Sequence, residues 1–193
     1  MNIEILYIAI YSYCLGSVPF GLMLTKIFLN RDLREIGSGS IGATNALRTG
    51  KKSLAALTLI LDGAKGYISV IITLNYFPDY IYLSSLICFL GHIFPIWLNF
   101  KGGKGVAVYL GILFALSVNF GILFLISWIM ILYISKYSSL SSLFGSLIIF
   151  IYSIVLKNLN ESIFFFIILI ILFYTHRENI NRLKNKTENK TTL

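Results

Sequence analysis

Long apolar runs separated by short polar stretches dominate the pattern of this chain of 193 residues. The runs occupy residues 3–25, 53–74, 80–98, 106–135, 140–156 and 162–175. Their apolar residues form continuous blocks, whereas a surface helix of a soluble protein would show one apolar stripe. Since a helix needs about 20 residues to cross a bilayer, the pattern predicts an all-α, polytopic membrane protein.

The fourth run holds 30 residues, which is long for one helix and short for two spans. If it divides near residues 119–121, there are seven spans, and loops on one side of the membrane carry 14 of the 16 basic residues. The two exceptions are Lys157, in an opposite loop, and Lys65, within a span. The positive-inside rule therefore predicts about seven transmembrane helices, with the N-terminus outside and the C-terminus in the cytoplasm.

Composition and charge narrow the class of protein. The chain is 57% hydrophobic with a mean hydropathy of +0.82, which is too apolar for a soluble domain. We expect a single integral-membrane domain over residues 1–193, with residues 183–193 forming a frayed cytoplasmic tail. The net charge of +8 collects on one side, which favours a membrane surface or an anionic substrate and no nucleic-acid partner.

Residues 37–50 have a composition that no spanning helix favours. Four glycines, five hydroxyl or amide side chains and Arg48 lie between two membrane-length apolar runs. Glycines allow backbone N–H groups to approach a ligand closely, and successive N–H groups bind anions. The planar guanidinium of Arg48 suits phosphate or carboxylate. We therefore predict an anion-binding loop at the membrane surface.

A second glycine-rich loop at residues 101–105 holds two lysines and opens onto a helix start, as a phosphate cradle does. It is not a Walker A loop, because Gly105 follows Lys104 where that motif has Ser or Thr. An ordinary basic cytoplasmic loop fits equally well. His92, upstream, is interpreted as an intramembrane histidine bonded to a neighbouring helix, and Asp62 with Lys65 as an intramembrane ion pair.

Hydroxyl and amide side chains recur near the end of the chain. Residues 137–142 contain five hydroxyls at a helix entrance, where helix capping is the default role and donation to a phosphoryl or acyl oxygen the alternative. His176 and Asn179 share one face of a helical turn. Neither histidine has an aspartate five positions later, since Trp97 and Asn181 stand there. The His–Asp dyad of other acyltransferases is therefore missing, and no metal site is predicted.

Six stretches, taken in order, resemble the bacterial acyl-phosphate:glycerol-3-phosphate acyltransferase family (PlsY). They are residues 16–21, 37–50, 61–66, 91–106, 137–142 and 176–188, and they extend over essentially the whole chain. Their joint order is far more specific than any single stretch. The family usually has Asn and Pro where this chain has Ser40 and Ile41; Ser40 keeps a hydrogen-bonding group, and loss of the proline loosens the turn.

The resemblance implies transfer of a fatty acyl group from acyl-phosphate to the 1-hydroxyl of glycerol 3-phosphate. The products are 1-acyl-glycerol 3-phosphate (lysophosphatidic acid) and phosphate, for phospholipid synthesis. No cofactor is implied, because neither coenzyme A nor acyl carrier protein is used. The active site is expected at the cytoplasmic face of the bacterial inner membrane, among membrane lipids, and a soluble acyltransferase that makes acyl-phosphate is a candidate partner.

Residues that match the family's motifs are the expected site residues. The candidate catalytic residues are Ser38, Ser142 and His176. The candidates for substrate binding are Gly39, Gly42, Thr44, Asn45, Arg48, Gly102, Gly103, Lys104 and Asn179. The hydroxyl and amide groups of the first loop, with Ser142, are expected to hold the acyl-phosphate and polarise its carbonyl. Arg48, Lys104, His176 and Asn179 are expected to hold the phosphate of glycerol 3-phosphate.

Two questions stay open at this level. The general base is either His176, whose ordinary pKa suits the task, or a phosphate of the substrate itself. A small membrane transporter of an organic anion is the alternative function, because basic loops and interrupted apolar runs also suit alternating access. Such transporters bind substrate near the bilayer midplane, whereas the polar segments here are predicted to lie at one face.

Overall fold

The computed structural model describes residues 3–191, and all regular elements within that range are helical. Short 3₁₀ turns at Leu33–Glu35, Pro78–Tyr80 and Ile96–Leu98 separate some of the longer helices. The α-helices are α1 (Ile3–Ser17), α2 (Phe20–Leu29), α3 (Ala43–Leu47), α4 (Lys52–Tyr76), α5 (Ile81–Ile93), α6 (Val106–Leu116), α7 (Val118–Ser135), α8 (Ser138–Val155), α9 (Leu159–Thr175) and α10 (Arg177–Lys184).

The long run at residues 106–135 is divided, as predicted, but at Ser117 rather than at residues 119–121. Helix α6 ends at Leu116, and α7 begins at Val118. The extended backbone of Ser117 interrupts the helix, and its hydroxyl accepts a hydrogen bond of 3.3 Å from the backbone N–H of Asn119. Serine is a preferred N-cap because it supplies this acceptor to an otherwise unpaired N–H group.

Length and composition confirm a helical membrane protein. Five segments are long and apolar enough to span a bilayer: Ile3–Leu29, Lys52–Tyr76, Pro78–Leu98, Val118–Ser135 and Ser138–Val155. Helices α9 and α10, bent by 60° at their junction, would make a sixth if they form one broken span. Helix α6 is apolar but shorter. The predicted count of seven spans and the predicted orientation of the termini therefore stay predictions.

Contacts divide the chain into two compact units, Met1–Leu116 and Ser117–Leu193. Whether the chain is a single domain stays a prediction, because compactness does not show whether either unit folds alone. In the first unit α4 lies centrally and packs on α1, α2, α3, α5 and α6. Where α4 meets α6, a side chain on Gly111 would collide with the carbonyl of Gly63, so glycine lets the two helices approach closely.

Hydroxyl groups join three helices of the first unit inside its apolar core. Ser84 of α5 lies 2.9 Å from the hydroxyl of Ser12 on α1 and 3.0 Å from that of Ser69 on α4. Tyr11 and Thr73 also share a hydrogen bond. Interhelical hydroxyl contacts of this kind add to van der Waals packing where the apolar surroundings supply no hydrophobic driving force between helices.

In the second unit, α8 packs against α7 and α9. The ring of Phe120 on α7 meets that of Phe165 on α9 edge to face, with centroids 5.0 Å apart. The prediction that residues 183–193 fray stays a prediction, and residues 192 and 193 lie outside the described part of the chain. In the described part, the N–H of Thr191 donates to the carbonyl of Lys136 over 2.8 Å, and Glu188 binds three side chains.

Candidate active site

The buried amide of Asn45 organises the first glycine-rich loop. Its Nδ2 lies 2.9 Å from the carbonyl oxygens of Leu33 and Ile36 and 2.7 Å from that of Ser40. Its Oδ1 accepts from the backbone N–H of Ser38 over 3.0 Å. Only 2% of Asn45 is exposed, so its polar atoms serve the loop. The predicted role of Asn45 in holding acyl-phosphate stays a prediction.

Gly37 is required in the same loop for two reasons. Its φ of +55° lies in the left-handed region, which costs residues with a Cβ about 1–2 kcal/mol. In addition, a Cβ there would lie 2.6 Å from both Arg48 Cδ and Asn45 Oδ1. The guanidinium of Arg48 therefore passes close to the backbone next to Ser38. The structure thus brings together three predicted site residues: Ser38, Asn45 and Arg48.

The base of the loop is anchored by apolar packing and by an ion pair. Leu33 is fully buried against Ala46 and Leu54. The Arg34 side chain and backbone both donate to the carboxylate of Asp32, and these hydrogen bonds lower the pKa of Asp32 to about 2. Because the carboxylate and the guanidinium are both partly exposed, the pair orders the turn without adding much stability.

The remaining predicted residues of this loop differ in what their polar groups offer. The N–H of Gly39 already donates to the carbonyl of Ile36 over 3.0 Å, so it is not available to an anion. Gly42 has an ordinary φ of −87° and precedes α3, and the nearest atom to an added Cβ is Ser40 Oγ at 3.8 Å. The fold therefore does not demand glycine at position 42. Thr44 is exposed on α3.

The second glycine-rich loop is not a cradle of unpaired N–H groups. The N–H of Gly102 donates to the carbonyl of Ile93 over 2.9 Å, and that of Gly103 to the carbonyl of His92 over 3.0 Å. These bonds satisfy carbonyls at the C-terminal end of α5, which have no partner within the helix. The prediction that Gly102 and Gly103 belong to the substrate-binding residues stays a prediction. Lys104, which follows them, is half-buried.

Close packing explains why residues 102 and 103 are glycines. A Cβ on Gly103 would collide with Nε2 of the His92 ring, and a Cβ on Gly102 would lie 2.6 Å from the carbonyl oxygen of Ile93. The loop therefore lies directly against His92. The sequence interpretation of His92 as an intramembrane histidine bonded to a neighbouring helix is confirmed, because its Nδ1 lies 2.8 Å from Lys65 Nζ on α4.

The expected ion pair between Asp62 and Lys65 is also present. Asp62 Oδ1 lies 2.8 Å from Lys65 Nζ, and both side chains are 2% exposed. The oxygen is poorly aligned for a directed hydrogen bond, so the contact is an ion pair stabilised by its charges. Lys65 Nζ also donates to the carbonyl of Val18, between α1 and α2, over 2.8 Å.

In the second unit, Glu188 gathers the polar side chains around the end of α9. It accepts hydrogen bonds from Ser139 over 3.0 Å, Asn179 over 2.6 Å and Arg182 over 2.6 Å. Burial by itself would raise the pKa of Glu188, but these three hydrogen bonds together lower it below its usual range. The folded state therefore favours the carboxylate, and its contribution to stability persists above about pH 4 and is lost on acidification.

His176 lies at the junction of α9 and α10 and is 3% exposed. Its Nδ1 is 2.8 Å from the carbonyl oxygen of Leu172, which can only accept. A neutral imidazole therefore carries its proton on Nδ1 and its lone pair on Nε2. Asn179, one turn later, is held by Glu188. The two side chains share one end of the second unit, as the i,i+3 spacing predicted.

Ser142 lies between two helices of the second unit. It is 2% exposed, donates to the carbonyl of Ser138 over 2.9 Å and accepts from the indole N–H of Trp128 over 3.1 Å. Its hydroxyl therefore joins α7 to α8, and its predicted role in holding acyl-phosphate stays a prediction. Ser139, three residues earlier, contacts Glu188 instead.

Sequence reasoning missed the roles of Glu188 and Ser139. One signal was available: Glu188 is the lone acidic residue in residues 183–193, among lysines and asparagines. A buried carboxylate in a basic tail has to find partners. No sequence pattern indicated that Ser139, rather than its neighbours among the five hydroxyls, would supply one.

Apolar helices that carry polar clusters at their ends define a polytopic α-helical membrane protein, and comparisons with known proteins specify the family. A profile described as "Glycerol-3-phosphate acyltransferase" matches residues 6–186. A glycerol-3-phosphate acyltransferase of Pelagibacter ubique (strain HTCC1062) is 59% identical over 190 residues, covering 98% of this chain and 99% of that protein. One from Bradyrhizobium diazoefficiens is 48% identical over 183 residues, covering 94% and 92%.

Solved structures agree with the sequence relatives. A crystal structure of PlsY, an integral membrane glycerol 3-phosphate acyltransferase in its glycerol 3-phosphate form, has a TM-score of 0.93 and 35% identity, and the match covers 98% of this chain and 96% of that one. The lysophosphatidic acid form of PlsY has a TM-score of 0.90 and 33% identity. The chain belongs to the glycerol-3-phosphate acyltransferase family. The predicted resemblance is confirmed, and no comparison supports the transporter alternative.

Proposed function

We propose that the enzyme takes its acyl group from acyl-phosphate and transfers it to the 1-hydroxyl of glycerol 3-phosphate. The hydroxyl oxygen attacks the acyl carbonyl carbon, the bond from that carbon to the phosphate oxygen breaks, and the hydroxyl proton leaves with a base. The products are lysophosphatidic acid and inorganic phosphate. The related PlsY structures contain glycerol 3-phosphate and lysophosphatidic acid, which correspond to the acceptor and the acylated product of this reaction.

The observation that carries the proposal is the arrangement of Ser38, Asn45 and Arg48. Asn45 fixes the loop backbone, and Gly37 lets the guanidinium of Arg48 lie beside it. The hydroxyl of Ser38 at this immobilised loop suits the carbonyl of an acyl-phosphate, and the adjacent cation of Arg48 suits the phosphate of glycerol 3-phosphate. A donor that is the mixed anhydride of a fatty acid and phosphate would use both the loop and the surrounding apolar helices.

We assign Arg48 and Lys104 to the phosphate of glycerol 3-phosphate, and we keep Asn179 as a candidate substrate-binding residue. Ser38 and Thr44 are assigned to the acyl-phosphate, as is the N–H of Gly42. The contacts of Asn45, Gly102 and Gly103 indicate that these residues support their loops. Ser142 keeps a supporting role through Trp128.

His176 is our candidate for the general base. Its Nδ1–H is engaged by Leu172, and the tautomer this requires keeps a lone pair on Nε2, which a base needs. In the alternative, a phosphate of the substrate takes the proton and the protein supplies positioning. Replacement of His176 by Asn distinguishes the two: a base predicts loss of kcat of about 100-fold or more, whereas nearly full turnover would eliminate His176 as the base.

The active site is proposed to face the cytoplasm of a bacterial inner membrane. The positive-inside distribution of basic residues supports this orientation. Single cysteines introduced at residues 49 and 189, in a background without Cys14 and Cys88, should be inaccessible to an impermeant thiol reagent in intact cells. Both should react in inverted vesicles. Labelling of either position in intact cells would contradict the orientation.

The donor can be tested directly with purified protein. Palmitoyl-phosphate, palmitoyl-coenzyme A and palmitoyl-acyl carrier protein are each incubated with labelled glycerol 3-phosphate, with and without EDTA. We expect labelled lysophosphatidic acid and one equivalent of phosphate from palmitoyl-phosphate alone, with EDTA having no effect. Equal or faster transfer from either thioester would overturn the proposed donor. Arg48→Ala and Lys104→Ala test the phosphate-binding roles in the same assay.

A further inference from the structure

The reaction proposed above leaves the charged pair inside α4 without a role. Asp62 and Lys65 are both 2% exposed in the apolar interior of the first unit. Ionised groups at such positions are costly and are retained where they hold something in place. The hydroxyls of Ser12, Ser69 and Ser84 form a separate connection between α1, α4 and α5.

The contacts of Lys65 show what the pair holds. An ammonium can only donate, and Lys65 Nζ donates to the carbonyl of Val18 and to His92 Nδ1, each over 2.8 Å. Its counter-ion, Asp62 Oδ1, also lies at 2.8 Å. Since Nδ1 of His92 accepts from the ammonium, the ring proton of His92 is on Nε2. Lys65 therefore sets the tautomer of the imidazole and restrains its orientation.

His92 in turn supports the second glycine-rich loop. Its carbonyl accepts from the N–H of Gly103, and the neighbouring carbonyl of Ile93 accepts from that of Gly102. Gly103 lies so close to the imidazole that a Cβ would collide with Nε2. The ring is thus the surface on which the loop rests, and the residue that follows Gly103 is Lys104.

We propose that Lys65, with Asp62 as its counter-ion, is a positioning residue for Lys104. The pair orients His92, and His92 fixes the backbone that presents Lys104 to the phosphate of glycerol 3-phosphate. This inference rests on the role assigned above to Lys104. It gives a function to a charge inside the apolar helices of the first unit.

The test uses the Kd of glycerol 3-phosphate, measured by isothermal titration calorimetry without any acyl donor. Lys65→Met is combined with Asp62→Asn, so that no unpaired charge remains buried. We expect the Kd to rise about tenfold or more, since a small misplacement of a binding group has effects of this size. Ser84→Ala, which removes a hydroxyl at the same helix junction away from the loop, is the matched control and should leave the Kd unchanged.

Adding Lys104→Ala separates positioning from general damage. The triple variant carries Asp62→Asn, Lys65→Met and Lys104→Ala. If Lys65 acts through Lys104, this variant binds glycerol 3-phosphate no more weakly than Lys104→Ala alone, because the effects of coupled residues on binding free energy are not additive. Losses that multiply would overturn the inference, as would an unchanged Kd in the Asp62→Asn, Lys65→Met protein. The proposed function fails separately, if the unmodified enzyme transfers no acyl group from palmitoyl-phosphate.

A second variant covers the case in which the charge-neutral protein does not fold. His92→Asn leaves an amide oxygen as acceptor for Lys65 and removes the ring that touches Gly103. The ion pair stays intact, so monodisperse protein is expected. The Kd of glycerol 3-phosphate should rise about as much as in the Asp62→Asn, Lys65→Met protein. In a Lys104→Ala background, His92→Asn should cause no further rise in Kd. Wild-type affinity in His92→Asn would refute the proposed chain of contacts.

Discussion

Residues 37–50 and residues 101–105 are both glycine-rich loops next to an apolar helix, yet their glycines serve different purposes. In the first loop, Gly37 adopts a left-handed backbone and makes room for Arg48, while a side-chain amide holds the loop from inside. In the second loop, Gly102 and Gly103 lie against His92 and the end of α5, and backbone carbonyls hold the loop.

The two loops together show that glycine-rich composition alone does not identify a phosphate cradle. A cradle needs N–H groups that point at the ligand, and both loops use several of theirs internally: Ser38 and Gly39 in the first, Gly102 and Gly103 in the second. The cationic side chains Arg48 and Lys104 then become the main candidates for anion binding. Glycine substitutions can test this distinction loop by loop.

Gly103→Ala is expected to have the largest effect. The new methyl group would collide with the His92 ring, which Lys65 holds in place. Overpacking at a fixed contact should cost about 3 kcal/mol. Thermal stability in detergent, followed by size-exclusion chromatography of heated samples, should fall clearly. The double variant Gly103→Ala, His92→Ala lacks the ring and should be more stable than Gly103→Ala alone. If Gly103→Ala were as stable as the wild type, the contact between Gly103 and His92 would be contradicted.

Asn45→Ala should come next in size. Removing the amide leaves the carbonyls of Leu33, Ile36 and Ser40 and the N–H of Ser38 without their partner. Unpaired buried polar groups should reduce the free energy of unfolding by about 2 kcal/mol. Thermal stability in the heated-sample assay and kcat/KM should both fall. Asn179→Ala, which breaks one bond to Glu188, serves for comparison, and a larger loss of stability there would reverse the ranking of the two anchors.

Gly37→Ala should have an intermediate effect that falls mainly on substrate affinity. The left-handed φ costs about 1–2 kcal/mol, and the added Cβ displaces the Arg48 side chain, which has room to move because it is exposed. We expect KM for glycerol 3-phosphate to rise while the protein remains monodisperse. In an Arg48→Ala background the same substitution should change KM little. A further large rise there would mean that Gly37 affects KM independently of Arg48.

Local patterns in the sequence predicted those features that depend on residues close together along the chain. The apolar runs predicted the helices, the i,i+3 spacing predicted the Asp62–Lys65 pair, and the family resemblance predicted the enzyme class. The sequence predicts the break at residues 119–121, because Asn119 and Gly121 disfavour helix. The structure has the break slightly earlier, at Ser117, because the serine hydroxyl caps α7.

Long-range contacts account for what the sequence did not predict. Whether Asn45 binds substrate or its own loop depends on the positions of carbonyls 5 to 12 residues away. The contact of Ser142 with Trp128 on α7 could not be identified from spacing. The contact of Gly103 with the His92 ring depends on the return of the chain after α5.

Gly42→Ala should have the smallest effect on stability and still affect the reaction. Its φ is −87° and an added Cβ meets nothing closer than 3.8 Å, so the loss should be about 0.5 kcal/mol, the difference between glycine and alanine at an N-cap. Gly50→Ala is the matched control. That position also has open space but a φ of +82°, and it should lose about 1 kcal/mol with kcat/KM unchanged. If the backbone at Gly42 approaches the acyl-phosphate, kcat/KM of Gly42→Ala should fall about tenfold despite normal stability. Wild-type kinetics in this variant would remove Gly42 from the substrate site and leave Arg48 and Ser38 as the ligands of the first loop.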